Sequence, residues 1–173
     1  MGKKSSATAA AAASAKGAPA IDIGIDEKER RQIADALSRA LADTYTLYLQ
    51  THGFHWNVEG PLFSTLHQMF MEQYTEMWTA LDDIAERIRA LGFPAPASYA
   101  ALSKLSSVPD VDDVPEAMQM VRTLVAGHET LARTTRAALR VADEADDDSS
   151  ADLMTQRLQV HEKTAWMLRS MLK

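Results

Sequence analysis

Cysteine is absent from this 173-residue sequence, which excludes disulfide bonds and metal sites built from thiolates. No hydrophobic run in it approaches the roughly 18 apolar residues that a membrane-spanning helix requires. Aromatic residues make up only 6% of the chain and hydrophobic residues 46%, a balance that favours an all-helical bundle rich in Ala, Leu and Met. The lack of both disulfides and a membrane span predicts a cytoplasmic protein with no membrane partner.

The sequence also lacks the short motifs of several common protein classes. It contains no glycine-rich phosphate loop, no nucleophile elbow and no zinc-finger spacing. No E-x-x-H pair is present, which excludes the usual di-iron site within one four-helix subunit. His128-Glu129 and His161-Glu162 begin an H-E-x-x-H motif, but neither completes it. We interpret His128 and His161 as packed residues of helical stripes.

Charge is distributed unevenly along the chain. The first 20 residues carry +3, from Lys3, Lys4 and Lys16 with no acid, whereas the whole chain carries −6 from 18 basic and 24 acidic residues. The rest of the chain keeps 15 basic and 24 acidic residues, which is −9. The first segment is low in complexity and has almost no large apolar side chain. We therefore predict a flexible basic tail over residues 1–22 and one folded domain over residues 23–173.

Several roles for this tail are compatible with its residues. Its Ala run is a poor core for a signal peptide. Its opening residues, MGKKSS, match the myristoylation pattern. Three lysines make few phosphate contacts in one copy, but many copies on an oligomer would bind nucleic acid through avidity. A tail that only improves solubility is the simplest alternative.

Apolar residues recur at three- and four-residue steps over most of the domain, which predicts long amphipathic helices. The first helix begins near Asp26, whose spacing to Glu29 is that of a capping box, and it ends near Asn57. The second is opened by Pro61 and closed by Gly92. Each of these ends has the residue type that helix termini favour.

A long segment containing three prolines, residues 93–113, follows the second helix. It is too long for a tight turn, and YAALSKL within it is long enough for one short helix. A crossover of this length lets the flanking helices lie parallel. The third long helix opens at Pro115, and the fourth runs from about Ala151 to Leu172. The predicted fold is therefore an all-α four-helix bundle with a short helix in its long crossover.

Four polar residues mark the first two helices: His55 and His67, and then Asp82 and Glu86 one helical turn apart. Fifteen residues separate His67 from Asp82, which is about 22 Å along a helix. A metal bond to nitrogen or oxygen is only about 2 Å long, so these side chains cannot share an ion within one straight helix. They can share one if a second copy runs antiparallel across a two-fold axis. A metal site built from them therefore requires an oligomer.

The motifs HWNVEG, F-x-x-L-H and D-x-x-A-E-R-I-R-A-L-G, which contain these residues, closely resemble those of the Dps family of ferritin-like proteins. The resemblance covers nearly the whole chain from about Asp26 and includes the closing VHEKTAWMLRSML. It implies a ferritin-like four-helix bundle that assembles into a hollow dodecamer, is associated with the nucleoid and binds DNA. It also implies oxidation of iron (Fe2+ to Fe3+) by hydrogen peroxide at dimer interfaces. His55 and His67 of one subunit would bind the iron, with Asp82 and Glu86 of its mate.

One position departs from the family pattern. The family usually has a further carboxylate four residues after the second histidine, and Met71 stands there in this chain. A thioether is neutral and soft, whereas iron in this role prefers carboxylate oxygen and imidazole. Glu72 does not replace the carboxylate easily, because five helical steps turn it about 140° from His67. A weakly catalytic or non-catalytic shell that binds and compacts DNA is therefore the alternative function.

The densest charge run in the chain, DEADDDSSADL, begins at Asp143 and separates the third and fourth helices. In a single chain it is a solvated turn whose acids stabilise the N-terminus of a helix. In a shell of the Dps type, the resemblance implies a position by a three-fold axis. Three copies of Asp147, Asp148 or Asp152 would then line a negative pore that attracts cations.

Overall fold

The computed structural model describes residues 20–173, which form five helices and no strand. The tail lysines Lys3, Lys4 and Lys16, and most of the predicted tail segment, lie outside the described residues. Four of the helices are long and the middle one is short, which confirms the predicted all-α bundle. The helices are α1 (Glu27–Asn57), α2 (Phe63–Ala90), α3 (Tyr99–Leu105), α4 (Ala117–Glu144) and α5 (Asp148–Ser170).

The four long helices pack as two hairpins. Helix α1 packs along α2, and α4 packs along α5; the hairpins meet through α1 against α4 and α2 against α5. Two apolar clusters fill the interior, one around Ile33, Leu37 and Ile88 and the other around Leu47 and Phe70. Along α1, α4 and α5, buried polar residues separate the residues of the two clusters. The bundle centre is therefore polar between two apolar halves.

The helix ends follow the capping residues that the sequence offers. Asp26 accepts a hydrogen bond from the backbone N–H of Glu29 (2.8 Å), as its spacing predicted. Gly92 follows α2 with a φ of +96°, a left-handed conformation that favours glycine. Helix α2 begins at Phe63, two residues after Pro61, because residues 60–63 form a turn closed by a Phe63 N–H bond to the Gly60 carbonyl (3.0 Å).

The start of the last helix differs from the prediction. Helix α5 begins at Asp148 rather than near Ala151, so all of the acidic run except residues 145–147 is helical. The reason is Asp147, whose carboxylate accepts the backbone N–H of Ser150 (3.1 Å) and caps the helix there. Only residues 145–147 separate α4 from α5, where Asp146 has a positive φ of 52°.

The crossover is anchored to the bundle by a buried carboxylate on α1. Asp43 is fully buried and accepts hydrogen bonds from the Ser106 hydroxyl (3.1 Å) and the Val108 backbone N–H (3.2 Å). These bonds satisfy groups that follow the end of α3. Within residues 20–173, no helix has the length and apolar character needed to cross a membrane.

Candidate metal centre

His55 and His67 face each other where the first hairpin turns. Helix α1 ends two residues after His55, and the connection over residues 58–62 reverses the chain so that His67 lies in the second turn of α2. The two imidazole rings are stacked, with centroids 3.8 Å apart and planes at 22°. The structure therefore brings together two side chains that are twelve residues apart in the sequence.

Two reciprocal hydrogen bonds hold this histidine pair. Nδ1 of His55 lies 2.8 Å from the carbonyl of His67, and Nδ1 of His67 lies 2.9 Å from the carbonyl of His55. A carbonyl oxygen only accepts, so each Nδ1 carries the hydrogen and donates it. The lone pair of each imidazole is then on Nε2, which is the arrangement of a metal-ligating histidine oriented by a backbone carbonyl.

Asp82 and Glu86 lie far from the histidine pair within the same chain. Both are exposed on α2, one helical turn apart, and Asp82 is about 22 Å from His67 by helix rise. Within residues 20–173, no three His, Asp or Glu side chains are close enough to hold one metal ion. Within one chain, the imidazole nitrogens and the carboxylate oxygens predicted as metal ligands therefore lie in two separate places.

Met71 is half-buried one turn after His67 on α2. Glu72, the nearest acid in sequence, is exposed and accepts a hydrogen bond from Nε2 of Gln68 (3.0 Å). Four residues advance about 400° along a helix, so Met71 shares the face of His67 while Glu72 is turned away from it. Glu72 therefore does not replace, on the His67 face of α2, the carboxylate that the family pattern has at position 71.

Several aromatic side chains, to which no role was assigned from the sequence, lie beside the histidine pair. The ring of His52 stacks on Tyr74 with centroids 4.0 Å apart, and Tyr74 meets His55 edge-on at 5.2 Å. The Tyr48 hydroxyl lies 3.3 Å from Nδ1 of His52. The ring centroids of Trp56 and His52 are 4.3 Å apart, and Trp56 remains 63% exposed. Burial, and then the nearby His55, lower the pKa of His52.

A signal for this group is present in the sequence. Tyr45, Tyr48, His52 and His55 follow one another at steps of three and four residues, so they share one face of α1. The steps alone do not reveal Tyr74, because it comes from α2 and reaches this face only when the hairpin closes. The stacking of His52 on Tyr74 identifies His52 as a packed side chain.

The three acids proposed for a pore have different environments. Asp147 is only 3% exposed, and its carboxylate accepts hydrogen bonds from Arg87 (2.6 Å) and from the Ser150 hydroxyl (2.6 Å). Burial alone would raise its pKa, but the hydrogen bonds from Arg87 and Ser150 outweigh burial and lower it. Asp148 and Asp152 are exposed. Only these two present carboxylates to solvent, because Asp147 caps α5 and pairs with Arg87.

Comparison with known proteins places these observations in a family context. Residues 34–173 match the ferritin family, described as a ferritin-like domain. The chain is 39% identical over 157 residues to an uncharacterized low temperature-induced protein of Nostoc, covering 90% of this chain and 88% of that one. It is 38% identical over 141 residues to a "DNA protection during starvation protein" of Brevibacillus brevis, covering 82% and 95%. The crystal structure of a Dps protein from Vibrio cholerae O1, described as a member of a superfamily of ferritin-like diiron-carboxylate proteins, superposes with a TM-score of 0.85 at 31% identity, covering 91% and 100%.

Proposed function

This chain belongs to the Dps family of ferritin-like proteins, and from that premise we propose that it forms a ferroxidase shell. Twelve subunits would oxidise Fe(II) with hydrogen peroxide at their two-fold interfaces, store the ferric product inside and protect DNA from oxidative damage. Iron is the substrate and the stored cargo. The family supports iron chemistry in general, and the peroxide-dependent step and its residues are our proposal.

The observation that carries the proposal is the reciprocal bonding of His55 and His67. It directs both Nδ1–H groups into the protein and leaves both Nε2 lone pairs for a ligand. Two plain packing histidines would not need matched tautomers. The exposed pair Asp82 and Glu86 supplies the carboxylate oxygens that iron prefers beside imidazole.

Two copies of α2 in antiparallel contact would complete each site. His67 of one subunit would then lie opposite Asp82 and Glu86 of its mate, and the two-fold axis would generate two equal sites. The separation of about 22 Å within one chain makes the second copy a requirement rather than an addition. Two Fe(II) ions would give one electron each, and hydrogen peroxide would take up both electrons with two protons to form two water molecules.

Exposed acids on α5 provide a route by which iron would reach the interior. Asp148 and Asp152, repeated around a three-fold axis, would form a negative opening that attracts Fe(II). Asp147 would not contribute charge there, because its carboxylate is buried and paired with Arg87. Its role is to cap α5 and hold the turn beside the opening.

DNA binding would depend on the tail. Lys3, Lys4 and Lys16 give each chain +3 in its first 20 residues, whereas the other residues carry −9 and repel a phosphate backbone. Twelve tails would act together through avidity. Contact with DNA would place the shell at the nucleoid in the cytoplasm.

A shell that compacts DNA with little iron oxidation is the second candidate, and Met71 is the observation that favours it. One thioether in place of a carboxylate removes a negative charge and two oxygen donors from the half-site of His67. The remaining two imidazoles and two carboxylates would hold one iron, and a second iron would bind weakly. Iron oxidation by peroxide, measured beside a DNA mobility shift on the same preparation, separates the two candidates.

Mixing two inactive variants tests the shared site directly. His67→Ala and Asp82→Ala should each abolish iron oxidation, and subunits exchanged between them should regain part of it. Each mixed dimer keeps one of its two interface sites with all four proposed ligands intact. Light scattering should show an oligomer of each parent protein, and mass spectrometry should show that the subunits exchange. Mixed oligomers that remain inactive, or a parent protein that is monomeric at micromolar concentration, would refute the proposal.

A further inference from the structure

The side chain of Arg157 lies in the polar centre of the bundle and connects α5 with α2. Its two terminal nitrogens donate to the two carboxylate oxygens of Glu76, with Nη2 to Oε2 at 2.9 Å. Nη2 also lies 3.1 Å from Nε2 of His161, one turn along α5. Nδ1 of His161 lies 3.1 Å from Nδ1 of His128 on α4. Both histidines are only 1% exposed.

The direction of every hydrogen bond in this network follows from the arginine. A guanidinium only donates, so Nε2 of His161 accepts and its Nδ1 carries the hydrogen. That hydrogen is donated to Nδ1 of His128, which places the remaining hydrogen of His128 on Nε2. Both rings are neutral, since burial first, and then the charge of Arg157, lower the pKa of His128 to about 3. Burial, followed by His128 and Arg157, also lowers the pKa of His161 well below its usual value.

The acceptors that surround the guanidinium are of the types that a divalent cation takes. They are two carboxylate oxygens of Glu76 and one imidazole nitrogen of His161. His128 stands behind His161 as the hydrogen-bonded partner that fixes a ligating tautomer. Each of these three acceptor atoms receives a hydrogen bond from Arg157 in the folded protein. The one ring nitrogen left over, Nε2 of His128, carries a hydrogen and cannot bind a metal.

The bundle centre is accessible to ions from solvent, so burial alone does not keep them out. A cavity of about 310 Å³ lies against it, and its lining includes Glu76, His128 and the surface residues Glu72 and Lys163. Solvent ions can therefore approach the network from between α2 and α5. Exclusion depends on the positive charge of Arg157 and on its occupation of the lone pairs.

We propose that the guanidinium of Arg157 occupies the place of a metal ion at the bundle centre. Its positive charge and its hydrogen bonds keep divalent ions away from Glu76, His161 and His128. The bundle centre would otherwise bind a divalent cation of the Fe(II), Co(II) or Zn(II) class. Only the identity of the excluded ion in the cell, Fe(II), rests on the function proposed above.

Cobalt binding tests this inference without iron chemistry. The parent protein carries His55→Gln, His67→Gln, Asp82→Asn and Glu86→Gln, so that all four proposed interface ligands are removed. Replacing Arg157 with Ala in this parent frees three donor atoms, and Co(II) should then bind at about one ion per subunit. Equilibrium dialysis gives the stoichiometry, and the visible d–d absorption of Co(II) reports nitrogen and oxygen ligation. The chelator-treated parent should bind at least tenfold less Co(II) at the same free concentration.

Three further variants keep the test decisive. Arg157→Gln removes the charge with less loss of volume and should also gain the site, which covers the case in which the alanine variant fails to fold. Arg157→Lys keeps the charge and should stay closed. Adding His161→Phe to Arg157→Ala should abolish the gain. Folded alanine and glutamine variants that bind no more Co(II) than the parent, or a parent that already binds Co(II) through His161, would overturn the inference. Failure of iron oxidation in the native protein would leave this result unaffected.

Discussion

Lowering the pH from 7.5 to 5.0 should destabilise this protein through the two histidines of its bundle centre. His128 has a pKa of about 3 in the folded protein and an ordinary value of 6.5 when unfolded. A folded-state pKa below the unfolded one means that folding favours the neutral ring. The contribution to stability is therefore complete above pH 6.5 and is lost as the pH falls from there toward 3.

The magnitude follows from these two pKa values. At pH 5.0 the unfolded ring is mostly protonated while the folded ring is still neutral, which removes about 2 kcal/mol from the free energy of unfolding for His128 alone. His161 acts in the same direction, since its pKa is also lowered. The lowered pKa of the Asp147 carboxyl acts below about pH 4, outside this interval. His52 contributes in the same interval from near the surface and is kept in every variant.

The assay is unfolding in guanidinium chloride, followed by circular dichroism at both pH values. The subunit concentration is held constant and a chelator is present, because oligomerisation and metal binding both shift apparent stability. His128→Gln is the matched control, since its amide still accepts a hydrogen bond from His161 but does not titrate. Wild type should lose about 2 kcal/mol more than this variant on acidification. Equal losses in the two proteins would refute the assignment of the pH dependence to His128.

Three other changes test the interface, the tail and the helix cap. Met71→Glu should make peroxide-driven iron oxidation severalfold faster, because it restores two oxygen donors. It should also slightly destabilise the metal-free protein, because a further carboxylate joins Asp82 and Glu86 at the proposed interface. Stopped-flow rates equal to wild type would show that position 71 is not near the metal. Deleting residues 2–20 removes +3 from each chain and should abolish salt-sensitive DNA retardation in a gel, whereas unchanged retardation would place the DNA contact on the body. Arg87→Met leaves the carboxylate of Asp147 buried without its charge partner and should lower the free energy of unfolding by about 3–5 kcal/mol. The control Arg136→Met breaks an exposed ion pair and should cost less than about 1 kcal/mol, so equal losses in denaturant melts would contradict this role for Arg87.

Much of the fold is determined locally and was predictable from the sequence. The steps of three and four between apolar residues indicate the long helices, and YAALSKL forms the short helix over Tyr99–Leu105 as predicted. Asp26 and Gly92 stand at helix ends because capping and a positive φ depend on residues within one turn. The prediction that a metal site built from His67 and Asp82 needs a second subunit is also local, since helix rise alone separates the two residues.

The tertiary structure decided the partners and protonation states of the polar side chains. The sequence placed Asp147 among exposed acids, but Arg87, 60 residues earlier, neutralises it and makes it a cap. The tautomers of His55 and His67 depend on carbonyls twelve residues away. Arg157 meets Glu76 across 81 residues, and this contact together with the one to His161 occupies the acceptors at the bundle centre. Periodicity shows which face of a helix is buried, whereas a hydrogen bond needs donor and acceptor within about 3 Å, a distance set only when helices from different parts of the chain pack together.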